Sequence, residues 1–116
     1  MDGIKIENEN SNGISVMHVH GFIDTTTSPE MEKSLQALLK DKQNKIIIDL
    51  AGVDNISSAG WGIFISEIKD IRERGGDLKL ARMSNDVSEV FELLEFGNIL
   101  QAHASVEEAV KAFSRK

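Results

Sequence analysis

Two adjacent serines, Ser57 and Ser58, stand where an apolar run gives way to a helical pattern. A serine hydroxyl at such a junction has three uses. As a nucleophile it needs a neighbouring base, and neither a Gly-x-Ser-x-Gly elbow nor a His–Asp pair to activate it is visible in the chain. As a helix cap it accepts one of the orphan backbone N–H groups. As an acceptor of phosphate it would place the new charge against those same N–H groups and the positive end of the helix dipole. The cap and the phosphoacceptor both remain open on these residues alone. His18 and His20 lie at i and i+2 of an alternating stretch and so share a face, the beginning of a zinc site. No third ligand follows by spacing, and His103 is distant in sequence, so no metal is expected. Gly60-Trp61-Gly62 and Gly75-Gly76 lack the Lys-Ser/Thr of a phosphate-cradling loop and the dinucleotide fingerprint, so no cofactor is expected either. A phosphoacceptor Asp of the response-regulator kind needs an acidic pair before it and a Lys after it. Asp24 stands alone and Asp49 lacks that setting.

The elements that must position these residues follow from periodicity. Lys45 to Leu50 is a β-branched apolar run, the pattern of a buried strand. Trp61, Phe64, Ile65, Ile68 and Ile71 fall on one face of the helix that follows, which Gly75-Gly76 stops. The small residues Ser57, Ser58, Ala59 and Gly60 leave the helix start open to a partner's close approach. Trp61 is either core or a partly exposed partner contact. Upstream, Ile4 and Ile6 begin a first strand, Glu7 to Gly13 has turn composition, and Ile14 to His20 makes a second strand that pairs with the first as an antiparallel hairpin and ends at Gly21. Asp24 and Thr25 to Thr27 form a polar loop at the sheet edge where sites collect. Ser28-Pro29-Glu30 reads as cap, first turn and acid of a helix running to about Lys40, with Met31, Leu35, Leu38 and Leu39 as its stripe. Downstream, Asp77 to Arg82 is a strand. Val87, Val90, Phe91 and Leu94 stripe a helix stopped at Gly97, Ile99 to Ala102 is a short strand, and Ser105 to Glu108 is a capping box opening a last helix through Ala109, Val110 and Phe113. Alternation of this kind predicts an α/β fold with a mainly parallel sheet of about five strands, an N-terminal antiparallel hairpin and about four helices.

The chain has 116 residues, 41% of them hydrophobic, enough for one domain over 1–116 with a real core. Its formal net charge of −6 argues against nucleic acid and anionic membrane surfaces. There is no cysteine, hence no disulfide or thiolate chemistry. The first residues lack the basic and apolar regions of a signal peptide, and no apolar run reaches the roughly 20 residues of a membrane span. A small cytoplasmic protein without direct membrane insertion is expected.

The stretch around Ser58 resembles the signature of the STAS domain family, the sulphate transporter and anti-sigma-factor antagonist domains. In that family a strand ends in Asp-Leu/Phe-Ser, and Asp-Ser-Ser-Gly-Leu-Gly then opens a helix. Here the two parts read Asp49-Leu50-Ala51 and Ser57-Ser58-Ala59-Gly60-Trp61-Gly62. The family's Gly-Glu-Leu-Asp after the second strand stands as Gly21-Phe22-Ile23-Asp24, at the right distance. At this stand-alone length the resemblance implies a bacterial anti-sigma factor antagonist and not an enzyme. Such a protein, as a monomer or weak dimer, binds an anti-sigma factor that is also a serine kinase and so frees a sigma factor. Phosphorylation of the serine at the central helix start switches binding off, and a metal-dependent Ser/Thr phosphatase restores it. Carried over by position, the acceptor is Ser58, with Ser57 as the alternative, and Asp24, Ser57, Ser58, Ala59, Gly60 and Trp61 form the partner-binding surface. The chain departs from the pattern at Ser57, where the family has an acid, and at Ala59, where it has a second serine. The alternative implied by the same resemblance is a non-switching STAS scaffold, or a subunit of a stress-signalling assembly or lipid-transport complex.

Overall fold

The computed structural model describes residues 3–114; Met1, Asp2, Arg115 and Lys116, and with them the start of the stretch read for a signal peptide, lie outside the described residues. The elements run β1 (Ile4–Ser11), β2 (Ile14–Ile23), α1 (Ser28–Lys40), β3 (Lys45–Ile56), α2 (Ser58–Glu73), β4 (Asp77–Ala81), α3 (Asn85–Leu93), a 3-10 turn (Phe96–Asn98), β5 (Gln101–His103) and α4 (Val106–Ser114). The five strands form one sheet in the order β1-β2-β3-β4-β5. The β1–β2 pair is antiparallel and every other pair is parallel.

β3 is the axis of the sheet. Ile46, Ile47 and Ile48 are all fully buried, because this strand is covered on both faces. Met17 and Val19 of β2, Ile48 and Leu50 of β3, and Leu78 and Leu80 of β4 pack with Met31 and Leu35 of α1, Phe64 and Ile71 of α2, and Phe91 of α3. The opposite face carries a smaller apolar cluster, Ile14, Val16, Ile47 and Ala81, which α4 covers through Ala109, Val106, Val110 and Phe113.

Several boundaries differ from the reading of the sequence, and each difference has a local cause. The hairpin turn is only Asn12-Gly13, both at positive φ (54° and 83°), so β1 continues through the polar residues to Ser11. β2 passes through Gly21 to Ile23, and β3 passes Leu50 to end at Ile56. The two stay paired across register shifts at His18/His20 and Gly21/Phe22, so turn-forming composition yields to pairing. The cap of α1 is Thr27 and not Ser28, and its side chain makes no capping bond. Leu94 leaves the stripe of α3 and is 54% exposed, the helix having ended at Leu93. β4 stops at Ala81, since Arg82 takes a left-handed backbone (φ 58°), and β5 begins two residues later than expected. The end of α2 follows the sequence: Gly76 N–H donates to Ile71 O and Gly75 N–H to Arg72 O, both at 3.0 Å, the paired bonds of a Schellman stop.

Candidate functional site at the start of the central helix

The carboxyl ends of β2 and β3 and the first turn of α2 meet at one edge of the sheet. Ile23 pairs with Ile56, and Ser57 N–H donates to Ile23 O at 2.8 Å, which ties the Asp24 loop to the helix start. Asp24 Oδ1 accepts the N–H groups of Thr26 and Thr27 at 2.9 and 3.0 Å. Thr27 Oγ1 accepts from Asp24 N–H at 2.9 Å and donates to Phe22 O at 2.6 Å. The Thr27 N–H, with the Thr26 N–H and the Thr27 hydroxyl, holds the Asp24 carboxyl below its usual range, against the opposing effect of desolvation. Asp24 therefore organises the turn that launches α1 and fixes the shape of this edge.

The two serines separate. Ser57 is half-buried, has an extended backbone (φ −78°, ψ 172°) and is the cap of α2, its Oγ accepting Gly60 N–H at 3.4 Å, a long bond. Ser58 is exposed and is the first residue of the helix proper. No acid stands in the first turn of α2, so the positive end of its dipole is uncompensated there.

The small residues beside them have different duties. Ala59 is half-buried, and Gly60 is buried. A Cβ on Gly60 would lie 2.5 Å from Ile23 Cγ2 and 2.8 Å from Ile56 Cγ2. Gly60 is small so that the helix can sit on the two strand ends, which corrects the expectation that it opens the surface to a partner. Of the two readings of Trp61, core or partner contact, the side chain takes the first: it is 3% exposed. Its ring lies 4.9 Å from Phe96, 5.9 Å from Phe64 in an edge arrangement and 6.0 Å from Phe91, centroid to centroid. Trp61 still forms the floor of a groove of about 360 Å³ whose rim is Ser58, Gly62, Ile65, Leu94 and Phe96. With Leu94 54% exposed on that rim, an apolar surface adjoins the Ser58 hydroxyl.

A second polar constellation, on the sheet face that α4 only partly covers, escaped the sequence reading. Asp49 is 3% exposed and receives Arg82 Nε at 2.9 Å and a terminal guanidinium nitrogen at 2.6 Å. His18 Nδ1 lies 2.6 Å from Asp49 and His18 Nε2 lies 2.8 Å from Glu9. Burial would push the Asp49 carboxyl up, but Arg82, His18 and the Ala51 N–H overcome it and hold it at about 2. The signal was available: an Asp inside the run Ile46-Ile47-Ile48-Asp49-Leu50 must be buried and therefore must be paired. His18 faces Asp49 and Glu9, while His20 Nε2 lies 4.0 Å from Glu7.

Residues 5–109 match the family model of the STAS domain. The chain belongs to the STAS domain family. Proteins similar to it include the anti-sigma-B factor antagonist of Listeria monocytogenes, 28% identical over 98 residues, with 84% of this chain and 85% of that protein covered. A solved anti-sigma factor antagonist from Mycobacterium paratuberculosis superposes with a TM-score of 0.87 at 22% identity, covering 97% of this chain and 95% of that one. The antagonist SpoIIAA in its unphosphorylated form superposes with a TM-score of 0.80 at 18% identity, covering 95% and 96%. The phosphorylated form of SpoIIAA from Bacillus gives a TM-score of 0.72 at 17% identity, covering 94% and 99%. At these identities the structural likeness establishes the STAS fold of the chain. No helix among the described residues is long and apolar enough to cross a membrane.

Proposed function

We propose that this STAS protein is an anti-sigma factor antagonist of the bacterial cytoplasm: a binding protein that engages an anti-sigma factor with serine kinase activity, releases a sigma factor, and is switched off by phosphorylation of Ser58. The observation that carries the reading is the exposed Ser58 hydroxyl at the uncompensated N-terminus of α2, on the rim of an apolar groove. Ser58 is a better acceptor than Ser57, whose oxygen is turned into the cap. The names of similar proteins, anti-sigma-B factor antagonists among them, support the same assignment.

The physics of the switch is local. A phosphate on Ser58 adds about −1.5 to −2 charges at pH 7. The helix start can bear that charge, so the fold persists. A partner seated over Leu94, Ile65 and the Ser58 hydroxyl would have to desolvate it, at a cost on the order of 2 kcal/mol or more. Asp24, Ser57 and Ala59 shape the contact edge, and Gly60 and Trp61 support it from beneath. A metal-dependent Ser/Thr phosphatase would complete the cycle.

The test is capture of partners from native lysate with wild type, Ser58→Ala and Ser58→Asp, followed by affinity measurement. A kinase-type partner is expected with the first two and weakened roughly thirtyfold or more with Ser58→Asp. Identical partners and affinities with all three baits would make Ser58 an ordinary helix residue and favour the non-switching scaffold.

A further inference from the structure

The cluster on the other face of the sheet has a geometry that one protonation state alone satisfies. Both ring nitrogens of His18 face carboxylate oxygens, Nδ1 toward Asp49 at 2.6 Å and Nε2 toward Glu9 at 2.8 Å. Carboxylates are acceptors only, and a neutral imidazole has one N–H, so both contacts are hydrogen bonds only when His18 is the imidazolium. The two acceptors are unequal. Asp49 is buried and held by the Arg82 guanidinium, and it cannot turn away. Glu9 is 64% exposed and sits on β1, a sheet-edge strand whose only strand partner among the described residues is β2.

We propose that His18 is a proton-dependent latch: doubly protonated, it bridges Glu9 of the edge strand to buried Asp49, and on losing one proton it stays with Asp49 and lets Glu9 go. The neutral ring keeps its N–H on the Asp49 side, since Asp49 has no solvent to replace that bond. Its Nε2 lone pair then meets a Glu9 oxygen, and the exposed carboxylate moves off. The outer half of β1, from Glu7 to Ser11, loses its only side-chain tie across β2 to β3 among the described hydrogen bonds. Asn10 keeps its separate bond to Gln43, ahead of β3, at 2.7 Å.

The surrounding charges leave this balance in place. Glu7, directly opposite His18 on β1, has its Oε2 3.7 Å from Lys5 Nζ and its Oε1 4.0 Å from His20 Nε2. From the far side of β3, Arg82 acts through Asp49, and its own N–H is donated to the His103 carbonyl. The side of α4 that packs on the sheet is apolar (Val106, Ala109, Val110 and Phe113), while Glu107, Glu108 and Lys111 are exposed. The Glu9 bond raises the pKa of His18 above its ordinary 6.5, burial opposes this, and Asp49 adds to the rise. A raised value means that the latch contributes fully below about pH 6.5 and is lost as pH climbs through the native value of His18.

The experiment uses the full chain, labelled for NMR, as wild type and Glu9→Gln. The side-chain amide of the variant offers a carbonyl to the imidazolium and an N–H to the neutral ring, so it holds β1 in either state. In wild type, His18 is expected to titrate above its ordinary value of 6.5. Exchange protection of the β1 amides paired with β2, corrected for intrinsic base catalysis, should fall about tenfold across that titration, the scale of one charge-assisted hydrogen bond. In Glu9→Gln the protection should stay flat. His18 titrating at or below its ordinary 6.5, wild-type protection that does not follow the His18 titration, or an equal fall in Glu9→Gln would each overturn the latch.

Discussion

Trp61→Ala is expected to lower the stability of the domain by ~3–5 kcal/mol, the usual cost of emptying a large aromatic site in a core. Against the ~5–15 kcal/mol that holds a small domain together, that is about a fifth of the total or more. The indole is 3% exposed and is the hub of four rings, with Phe64, Phe91 and Phe96 all within 6.0 Å between centroids. Nothing beside it can collapse into the gap cheaply. Phe64 is committed to the sheet, and Phe96 is held in the 3-10 turn. Trp61→Leu, the residue the STAS signature usually carries, keeps part of the volume and should cost less. Urea denaturation followed by circular dichroism decides the matter, since the chain has no other tryptophan to report on the variant. A loss below about 1 kcal/mol for Trp61→Ala would mean that the indole is a surface group and that its place is in partner contact after all.

Asp49→Asn is expected to cost ~2–3 kcal/mol at pH 7, and the cost should fade in acid. The buried carboxylate accepts from Arg82, His18 and the Ala51 N–H, and an amide satisfies neither the guanidinium nor the imidazolium as well. Arg82 is half exposed and can return to water, which keeps the loss below that of a fully buried pair. The sign of the pH effect follows from the depressed carboxyl, 3.8 ordinarily and about 2 here. Its contribution is present above about pH 4 and disappears as pH falls toward 2, and a shift of this size corresponds to ~2 kcal/mol. Denaturation curves at pH 7, 4 and 2.5 should therefore converge for wild type and variant at the acid end. Curves that stay parallel would show that Asp49 titrates alike in the folded and unfolded chains.

The parts of the STAS fold that were legible in the sequence are those where one term dominates. Ile46 to Ile48 is apolar on both faces, and only a buried strand accommodates that. Ser105 caps α4 from the position that the pattern marks, with Glu108 N–H donating to Ser105 Oγ at 3.0 Å. Legibility ends where a non-local partner overrides local composition. Gly52, Asp54 and Asn55 speak for a loop, yet they lie in β3 because β2 continues beside them. Trp61 and Gly60 stand in the first turn of α2, where position alone suggests exposure, yet the strand ends Ile23 and Ile56 lie against Gly60 and the rings of Phe64, Phe91 and Phe96 surround Trp61. At the candidate site, the Ser57–Ser58 junction was readable. The division of labour between the two hydroxyls was not, since it depends on one backbone angle at the cap. The Glu9–His18–Asp49–Arg82 cluster draws on three strands and the residue after a fourth, separations no local pattern encodes.

The sheet order β1-β2-β3-β4-β5 repeats the order of the chain. Each strand is laid on the open edge left by the one before, and none is threaded between two already paired. Emerging from a ribosome, the hairpin can close first, and β3, β4 and β5 can each dock as soon as the crossover helix before it is complete. No segment waits for a distant one to arrive, and apart from the outer edge of β1 the only edge open at any moment is that of the strand just laid down.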